Sequence, residues 1–155
     1  MKDKIKDLMD EIYDFAQINN EYKISEVNHE KLEKLKNNEM GIYIFYDDKN
    51  VILKVGKVNS YSNERWIYQH YNMYSSKSNL ALSIFHNSDY CQKHNILYDE
   101  NNIKEWIKNN TKRINIVIQK DGHSDAFKLN LIESWLHLKL NPLFEGRALK
   151  KFNTK

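Results

Sequence analysis

Two short apolar segments, separated by a polar turn, constrain the fold of this chain more than any other feature. The first begins with Gly41-Ile42-Tyr43, and the second ends with Lys54-Val55-Gly56. Apolar residues alternate within both segments, and the residues between them, Asp47-Asp48-Lys49-Asn50, are typical of a tight turn. The pattern therefore predicts a β-hairpin.

The length of the turn determines which side chains of this hairpin oppose each other. If Tyr46 pairs with Val51, the antiparallel register sets Tyr43 directly opposite Lys54. Opposed side chains have Cβ atoms about 4.5 to 5.5 Å apart, so a phenol and an ammonium would share one face and form a reaction centre. The alternative from the hairpin alone is an ordinary strand tyrosine beside an ordinary edge lysine. The other face is the expected core, and it contains Ile42, Ile44, Tyr46, Val51, Leu53 and Val55.

Length and charge favour one folded domain. The chain has 155 residues, of which 41% are hydrophobic and 29% are charged, a composition typical of a globular protein. The formal net charge is +3, because 24 basic residues are largely balanced by 21 acidic ones. Such a charge permits nucleic-acid binding but restricts any site for a polyanion to a local patch.

Neither a disulfide nor a membrane segment is expected. Cys91 is the only cysteine, so no intrachain disulfide can form. No segment approaches the roughly 18 apolar residues of a membrane span, and the N-terminus lacks the apolar core of a signal peptide. We therefore expect a cytoplasmic protein without a membrane partner.

Apolar periodicity predicts helices on both sides of the hairpin. Residues 4–18 read as an amphipathic helix, and a shorter helix after Ser25 is expected to end near Asn37-Asn38. Together they would form an N-terminal helical arm over residues 1–39. The arm would cap the sheet, or contact a DNA duplex or a second subunit.

The rest of the chain is predicted to be mostly helical, with one further strand. Helices are expected at about residues 63–71, 80–85, 102–110 and 125–140, and a strand at 114–118. The last helix is the most apolar, and a narrow polar stripe along it includes Glu133 and His137. The predicted fold is α+β, with a small antiparallel β-sheet of about three strands flanked by helices.

Read in chain order, these landmarks resemble the GIY-YIG nuclease family. Gly41-Ile42-Tyr43 matches the first half of the family name, and Lys54-Val55-Gly56 keeps the glycine of the second half. Arg65 and His70 follow on the next helix, and Glu133 follows on the late helix. The resemblance implies a small antiparallel sheet flanked by helices.

Three further stretches resemble a branch of the family that includes restriction endonucleases, in which a lysine opens the second motif. They are Ser62-Asn63-Glu64-Arg65, Gln69-His70-Tyr71 and the six residues from Asn141 to Gly146. The resemblance covers about residues 40–147 and defines a nuclease core within a single domain, 1–155. One departure is Glu145, which stands roughly where many members carry an asparagine.

The resemblance implies a catalytic set of Tyr43, Lys54, Arg65, His70 and Glu133, with one Mg²⁺ or Mn²⁺ ion bound by Glu133. A carboxylate suits this hard ion, and a guanidinium suits phosphate oxygens. Lys54 would activate the water while Tyr43 positions it or relays its proton, or these roles are exchanged. His70 would contact the scissile phosphate or leaving group, or be structural, and Arg65 and Glu133 alternatively read as ordinary solvated helix residues.

The expected function is a Mg²⁺-dependent, restriction-like endonuclease that hydrolyses DNA phosphodiester bonds. Its partner would be double-stranded DNA, and cutting both strands would require two active sites, which implies a homodimer or two sequential nicks. One alternative is a catalytically inactive DNA-binding module of the same fold. Another is a structural or interaction protein in which the motif match is accidental.

Overall fold

A computed structural model describes residues 1–76, 79–122 and 124–144 of the protein, which contain one β-sheet and six α-helices. The strands are β1 (Tyr22–Val27), β2 (Glu39–Asp47), β3 (Ile52–Asn59) and β4 (Thr111–Gln119). The helices are α1 (Lys2–Phe15), α2 (Asn63–Ile67), α3 (Leu80–Phe85), α4 (Ser88–Lys93), α5 (Glu100–Asn110) and α6 (Asp125–Leu140). The prediction of an α+β fold with an antiparallel sheet flanked by helices is confirmed, although the sheet has four strands instead of about three.

The strand order is β1-β4-β2-β3, and every neighbouring pair is antiparallel. β2 is therefore central, and β3 forms one edge of the sheet. The chain after α6 returns to the start of this edge, where the Leu143 and Phe144 amides donate to the carbonyls of Ile52 and Leu53 at 2.9 and 2.8 Å. These bonds cover part of a strand edge that would otherwise expose unpaired backbone groups.

The predicted second helix of the N-terminal arm is wrong. The structure has strand β1 at Tyr22–Val27, followed by residues 28–38 without helix or strand. β1 pairs with β4 along its whole length, so this long-range partner outweighs the weak local helical pattern. The first helix, predicted over 4–18, forms at Lys2–Phe15 and packs in the same core as the sheet.

The β2–β3 hairpin forms, but its predicted register is wrong by two residues. Tyr43 lies opposite Gly56, and Lys54 lies opposite Phe45. Because side chains alternate between faces, a shift of two keeps both on their original face. Tyr43 and Lys54 are therefore diagonal neighbours on one face, not a directly opposed pair.

Two local features cause this shift. The carboxylate of Asp47 accepts hydrogen bonds from the amides of Lys49 and Val51 at 2.9 and 2.8 Å, which tightens the turn. Asn50 completes the turn with φ +61°, a conformation that asparagine tolerates better than most residues. A β-bulge then adds one residue, Leu53, to the second strand.

Both faces of the sheet are buried, which corrects the expectation of one core face. The aliphatic face packs against α1 and α6, and its sheet residues include Ile42, Ile44, Ile52, Val55, Ile114, Ile116 and Ile118. The aromatic face packs against α2 to α5, and its sheet residues are Tyr43, Phe45, Leu53, Lys54, Val58, Arg113 and Asn115. The bulge moves Leu53 from its predicted face to the aromatic face.

α6 forms with its predicted bounds but buries only one side. Leu129, Ile132, Leu136 and Leu140 face the core, whereas Phe127 and Leu138 are 77% and 74% exposed. No helix in the described residues is both long and apolar enough to cross a membrane.

The smaller helices differ from the predictions in detail. The helix expected over 63–71 ends at Ile67, and Gln69–Tyr71 continues as a 3₁₀ turn. α4 was not predicted, because its six residues carry too little apolar periodicity. The cap of α3 is Asn79, whose side-chain oxygen accepts from the Leu82 amide at 2.7 Å.

Candidate active site

Tyr43 extends from the central strand over the edge strand, and Gly56 makes room for it. A Cβ atom at position 56 would lie 2.5 Å from Tyr43 Cζ, closer than real side chains approach each other. The glycine of the second sequence motif therefore lets the tyrosine of the first motif reach the β3 edge. Tyr43 is fully buried there.

The hydroxyl of Tyr43 is the point on which charges from three other elements act. Burial raises the pKa of this phenol, while the guanidiniums of Arg65 on α2 and Arg113 on β4 oppose that shift. The carboxylate of Glu133 on α6 raises the same pKa further. Among the described residues, the hydroxyl forms no hydrogen bond of good geometry, although the Arg65 guanidinium lies close enough to act on it as a donor. A buried hydroxyl beside two cations and a carboxylate is typical of a reaction centre.

His70 lies against the ring of Tyr43, with the two ring centroids 4.3 Å apart. It is 1% exposed, and burial holds its pKa well below the usual value, with Arg113, Lys54 and Arg65 adding to this effect. Neither ring nitrogen has a hydrogen-bond partner among the described residues. His70 is therefore a neutral imidazole at neutral pH, surrounded by cations.

The five residues predicted to form the site thus come from separate elements to one region. Tyr43 contributes from β2, Lys54 from β3, Arg65 from α2, His70 from the 3₁₀ turn and Glu133 from α6. Arg65 and Glu133 lie within electrostatic reach of Tyr43, and Lys54 and Arg65 lie within electrostatic reach of His70, since each of these charges shifts the pKa of the group it faces. Lys54 is buried, at 4% exposure, on the same face as Tyr43. Glu145, the substitute for the usual family asparagine, lies outside the described residues.

Glu133 approaches the site around the edge of the sheet. Its carboxylate pairs with the ammonium of Lys57, and the two side chains are 19% and 33% exposed. Lys57 follows Gly56 directly and lies opposite Ile42, on the aliphatic face beside α6. The sequence prediction missed Lys57, and its position next to the motif glycine is the signal that could have found it.

Glu133 is also the residue that could hold a metal ion. No group of three or more His, Cys, Asp or Glu side chains suited to a metal occurs among the described residues. A single, partly exposed carboxylate still fits Mg²⁺, because this ion usually keeps several waters and binds through one or two carboxylates plus substrate phosphates. A metal ion at this position would compete with the ammonium of Lys57.

Arg113 is a second site residue that the sequence prediction missed. It is fully buried on β4, where the guanidinium carbon lies 4.9, 5.2 and 5.5 Å from the ring centroids of Trp66, Phe45 and Tyr43. Its Nε atom donates to Asn115 Oδ1 at 2.7 Å. Among the described residues, its two terminal nitrogens form no hydrogen bond of good geometry, although the Tyr71 hydroxyl lies close enough to act as an acceptor, and the guanidinium forms no ion pair. In the sequence it is only one polar residue in an alternating strand.

His29 holds Tyr71 in place beside Arg113 through two hydrogen bonds. His29 Nε2 lies 2.8 Å from the carbonyl of Thr111, so this nitrogen carries the proton. His29 Nδ1 then accepts from the Tyr71 hydroxyl, also at 2.8 Å. The oxygen of Tyr71 acts electrostatically on Arg113. This chain orients a phenolic oxygen toward the buried guanidinium.

The site as a whole carries more positive than negative charge. Its positive groups are Arg65 and Arg113, which act on Tyr43, Lys54, which acts on His70, and Lys57, which pairs with the one carboxylate, that of Glu133. Positive groups held where water is partly excluded attract an anion and stabilise negative charge that develops on it. The arrangement is therefore suited to binding a phosphate group.

Comparisons with models of protein families, with curated proteins and with solved structures find no match to this chain. The geometry of the site is therefore the basis for inferring its function.

Proposed function

We propose that the protein is a metal-dependent endonuclease that hydrolyses DNA phosphodiester bonds, in a fold similar to the GIY-YIG nuclease family. The observation that carries the proposal is the electrostatic influence of Arg65 and Glu133 on Tyr43, whose phenol Gly56 admits, together with that of Lys54 and Arg65 on His70, which packs against the same ring. These residue types together meet the needs of phosphodiester hydrolysis: a metal ligand, a charge on the phosphoryl oxygens and groups that handle protons.

Glu133 would bind Mg²⁺ or Mn²⁺ through one carboxylate oxygen. The bound ion would polarise a phosphoryl oxygen and lower the pKa of its bound water. Lys57, released from the carboxylate, would then direct its ammonium toward the phosphate. Lys57 neutralises the Glu133 carboxylate in the structure, and its ammonium would add positive charge beside the phosphate where that carboxylate holds a metal ion.

Arg65 would contact the phosphoryl oxygens directly. Its guanidinium stays charged at any working pH and offers planar donors that match phosphate geometry. It lies beside the Tyr43 hydroxyl, so both groups reach the same small substrate group. Its charge would stabilise the transition state more than the ground state, because negative charge increases on the oxygens during attack.

Tyr43 and Lys54 would share the proton transfers. Because burial raises the pKa of Tyr43, the phenol stays protonated near neutral pH and acts as a hydrogen-bonding relay. This favours Lys54 as the group that activates the water, of the two assignments considered. His70 is neutral, so it can accept a hydrogen bond from the water or from the leaving group.

The substrate assigned here is double-stranded DNA, and the activity is restriction-like. One active site cuts one strand, so cleavage of both strands would need a homodimer or two sequential nicks. A second candidate function is a DNA-binding module without activity. The Lys57–Glu133 ion pair favours this alternative, since it neutralises the carboxylate that a metal requires.

Incubation of supercoiled plasmid with Mg²⁺, with and without EDTA, tests the proposal. The wild-type protein should convert the plasmid to open-circular or linear DNA, and EDTA should abolish the conversion. Tyr43→Phe should lose most activity, whereas Tyr13→Phe is a matched control that removes another buried hydroxyl without a hydrogen-bond partner among the described residues. Persistent supercoil at high wild-type concentration, together with DNA binding, would favour the non-catalytic module.

A further inference from the structure

A groove bordered by lysines lies beside the proposed active site. It has a volume of about 450 Å³, and its floor includes Asn115 and Trp66. Four lysines border it: Lys23 on β1, and Lys31, Lys34 and Lys36 on the segment 28–38. We call this region the lysine groove.

The positive charges of these lysines are available to a binding partner. All four side chains are exposed, and none forms an ion pair within the described part of the chain. Two acids, Glu33 and Glu39, also border the groove. The Glu39 carboxylate accepts hydrogen bonds from the Lys36 backbone amide at 2.8 Å and from the Gln119 side-chain amide at 3.3 Å. The groove therefore keeps an excess of positive charge that an anionic partner can neutralise.

The lysine segment is physically tied to the helix that carries Arg65. Trp66 Nε1 donates to the Glu33 carbonyl at 2.9 Å. Asn63 accepts from the Leu35 amide at 2.8 Å and donates to the Leu35 carbonyl at 3.1 Å. α2 thus fixes the position of the lysines relative to Arg65.

The groove and the active site also share a wall. Asn115 in the groove floor accepts from Arg113, whose guanidinium lies 5.5 Å from the ring centroid of Tyr43. Trp66 borders the groove and packs on the same guanidinium. The two regions are therefore adjacent, with Trp66, Arg113 and Asn115 between them.

We propose that the lysine groove binds the phosphate backbone of duplex DNA next to the scissile bond. This inference rests on the proposed function, since it assigns the part of the substrate outside the reaction centre. Exposed lysines make sequence-independent contacts with phosphates, which supply much of the affinity of DNA-binding proteins. Trp66 is 1% exposed, so the groove offers no aromatic platform on which single-stranded bases could stack. This favours a duplex over a single strand as the partner.

Fluorescence anisotropy with a labelled DNA duplex in EDTA tests this proposal without requiring cleavage. The test variant changes Lys23, Lys31, Lys34 and Lys36 to Gln, and the matched control changes Lys2, Lys4, Lys93 and Lys104, which are also exposed. Both variants lose four charges. Titrations from about 50 to 200 mM salt give the slope of log K against log salt, which falls by about 0.9 for each lost phosphate contact.

The groove variant should lose up to about 3.6 from the magnitude of this slope and bind at least about tenfold more weakly at low salt. The control should keep the wild-type slope and Kd to within about twofold. Glu33→Gln should tighten binding by about two- to fivefold, because it removes a negative charge from the groove wall. Circular dichroism confirms that each variant is folded.

Three results would overturn the proposal: no duplex binding by the wild-type protein, equal losses in the two quadruple variants, or tighter binding of a labelled single strand than of the duplex. The plasmid assay reports separately on catalysis. If the wild-type protein binds duplex through these lysines but never cuts plasmid, the groove assignment holds and the nuclease proposal fails.

Discussion

The two faces of the sheet are built from the same strands, yet they bury very different groups. On the aliphatic face, Ile116 pairs with Ile42 and Ile114 pairs with Ile44, all fully buried. On the aromatic face, the equivalent positions hold Arg113, Asn115 and Tyr43, with Lys54 and His70 nearby. Alternation along the strands separates these two sets.

This difference concerns the free energy of burying each kind of group. Burial of apolar side chains is favourable, whereas burial of a charge or an unpaired polar group costs free energy. Both faces therefore stabilise the fold through their apolar residues, and the aromatic face also buries Lys54, His70 and Arg113 at a free-energy cost. The two faces of the sheet meet at the edge strand β3. Lys57 and Glu133 reach this edge from the aliphatic face, and Tyr43 reaches it from the aromatic face.

The largest expected effect is on catalysis at this meeting point. Glu133→Gln should lower plasmid cleavage by about 10⁴-fold or more, equivalent to about 5 kcal/mol of transition-state stabilisation, because the metal loses its protein carboxylate. The free energy of unfolding should change by no more than about 1 kcal/mol, since the lost ion pair with Lys57 is partly exposed. Single-turnover cleavage and urea unfolding measure the two effects. Glu105→Gln, at an exposed site on α5, is the control, and equal activity of both variants would contradict the assignment.

A cavity in the aliphatic face should have the opposite effect. Ile116→Ala should lower the free energy of unfolding by about 2–5 kcal/mol, because the residue is fully buried among Ile42, Ile44 and the helices. Cleavage per folded molecule should remain near that of the wild-type protein. Urea unfolding monitored by circular dichroism gives the stability, and a large loss of cleavage at full folding would break the division between the faces.

Gly56→Ala should affect both properties. The new Cβ would overlap the ring of Tyr43, and such overpacking costs about 1–3 kcal/mol. Cleavage should fall further than stability, because the phenol is pushed away from Arg65. In a Tyr43→Phe background the same change should cost less in stability, since the hydroxyl that meets the Cβ is absent. A double-mutant cycle by urea unfolding measures this coupling, and strict additivity would contradict the packing argument.

The smallest expected effect is a pH dependence of stability from His70. Its pKa in the folded protein lies below that in the unfolded chain, so the unfolded state binds the proton first as the pH falls. The stability linked to neutral His70 is complete above about pH 6.5 and is lost as the pH falls toward the folded-state pKa, by at most about 1.4 kcal/mol per pH unit.

His70→Phe should remove this term, so its unfolding free energy should fall less steeply below about pH 6.5 than that of the wild-type protein. His29 and His94, whose pKa values are also lowered, remain in both proteins and cancel in the difference. Parallel curves for the two proteins between pH 5 and about 7 would mean that His70 is protonated equally in both states.

Much of the framework could be predicted from the sequence, because it depends on local patterns. The β2–β3 hairpin follows from alternating apolar residues and a turn at Asp47, and α6 follows from its length and apolar content. Of the five predicted site residues, Arg65 and Glu133 act electrostatically on Tyr43, Lys54 and Arg65 act on His70, and the catalytic roles of all five stay predictions.

The rest depended on contacts between distant parts of the chain. β1 forms because β4 offers it a partner, and the hairpin register depends on the Asp47 side chain and on the bulge at Leu53. Lys57 and Arg113 gain significance only from their neighbours, an α6 carboxylate in one case and three aromatic rings in the other. Periodicity along the sequence determines which residues share a face, whereas the packing of helices on both faces decides which of them are buried and what each one meets.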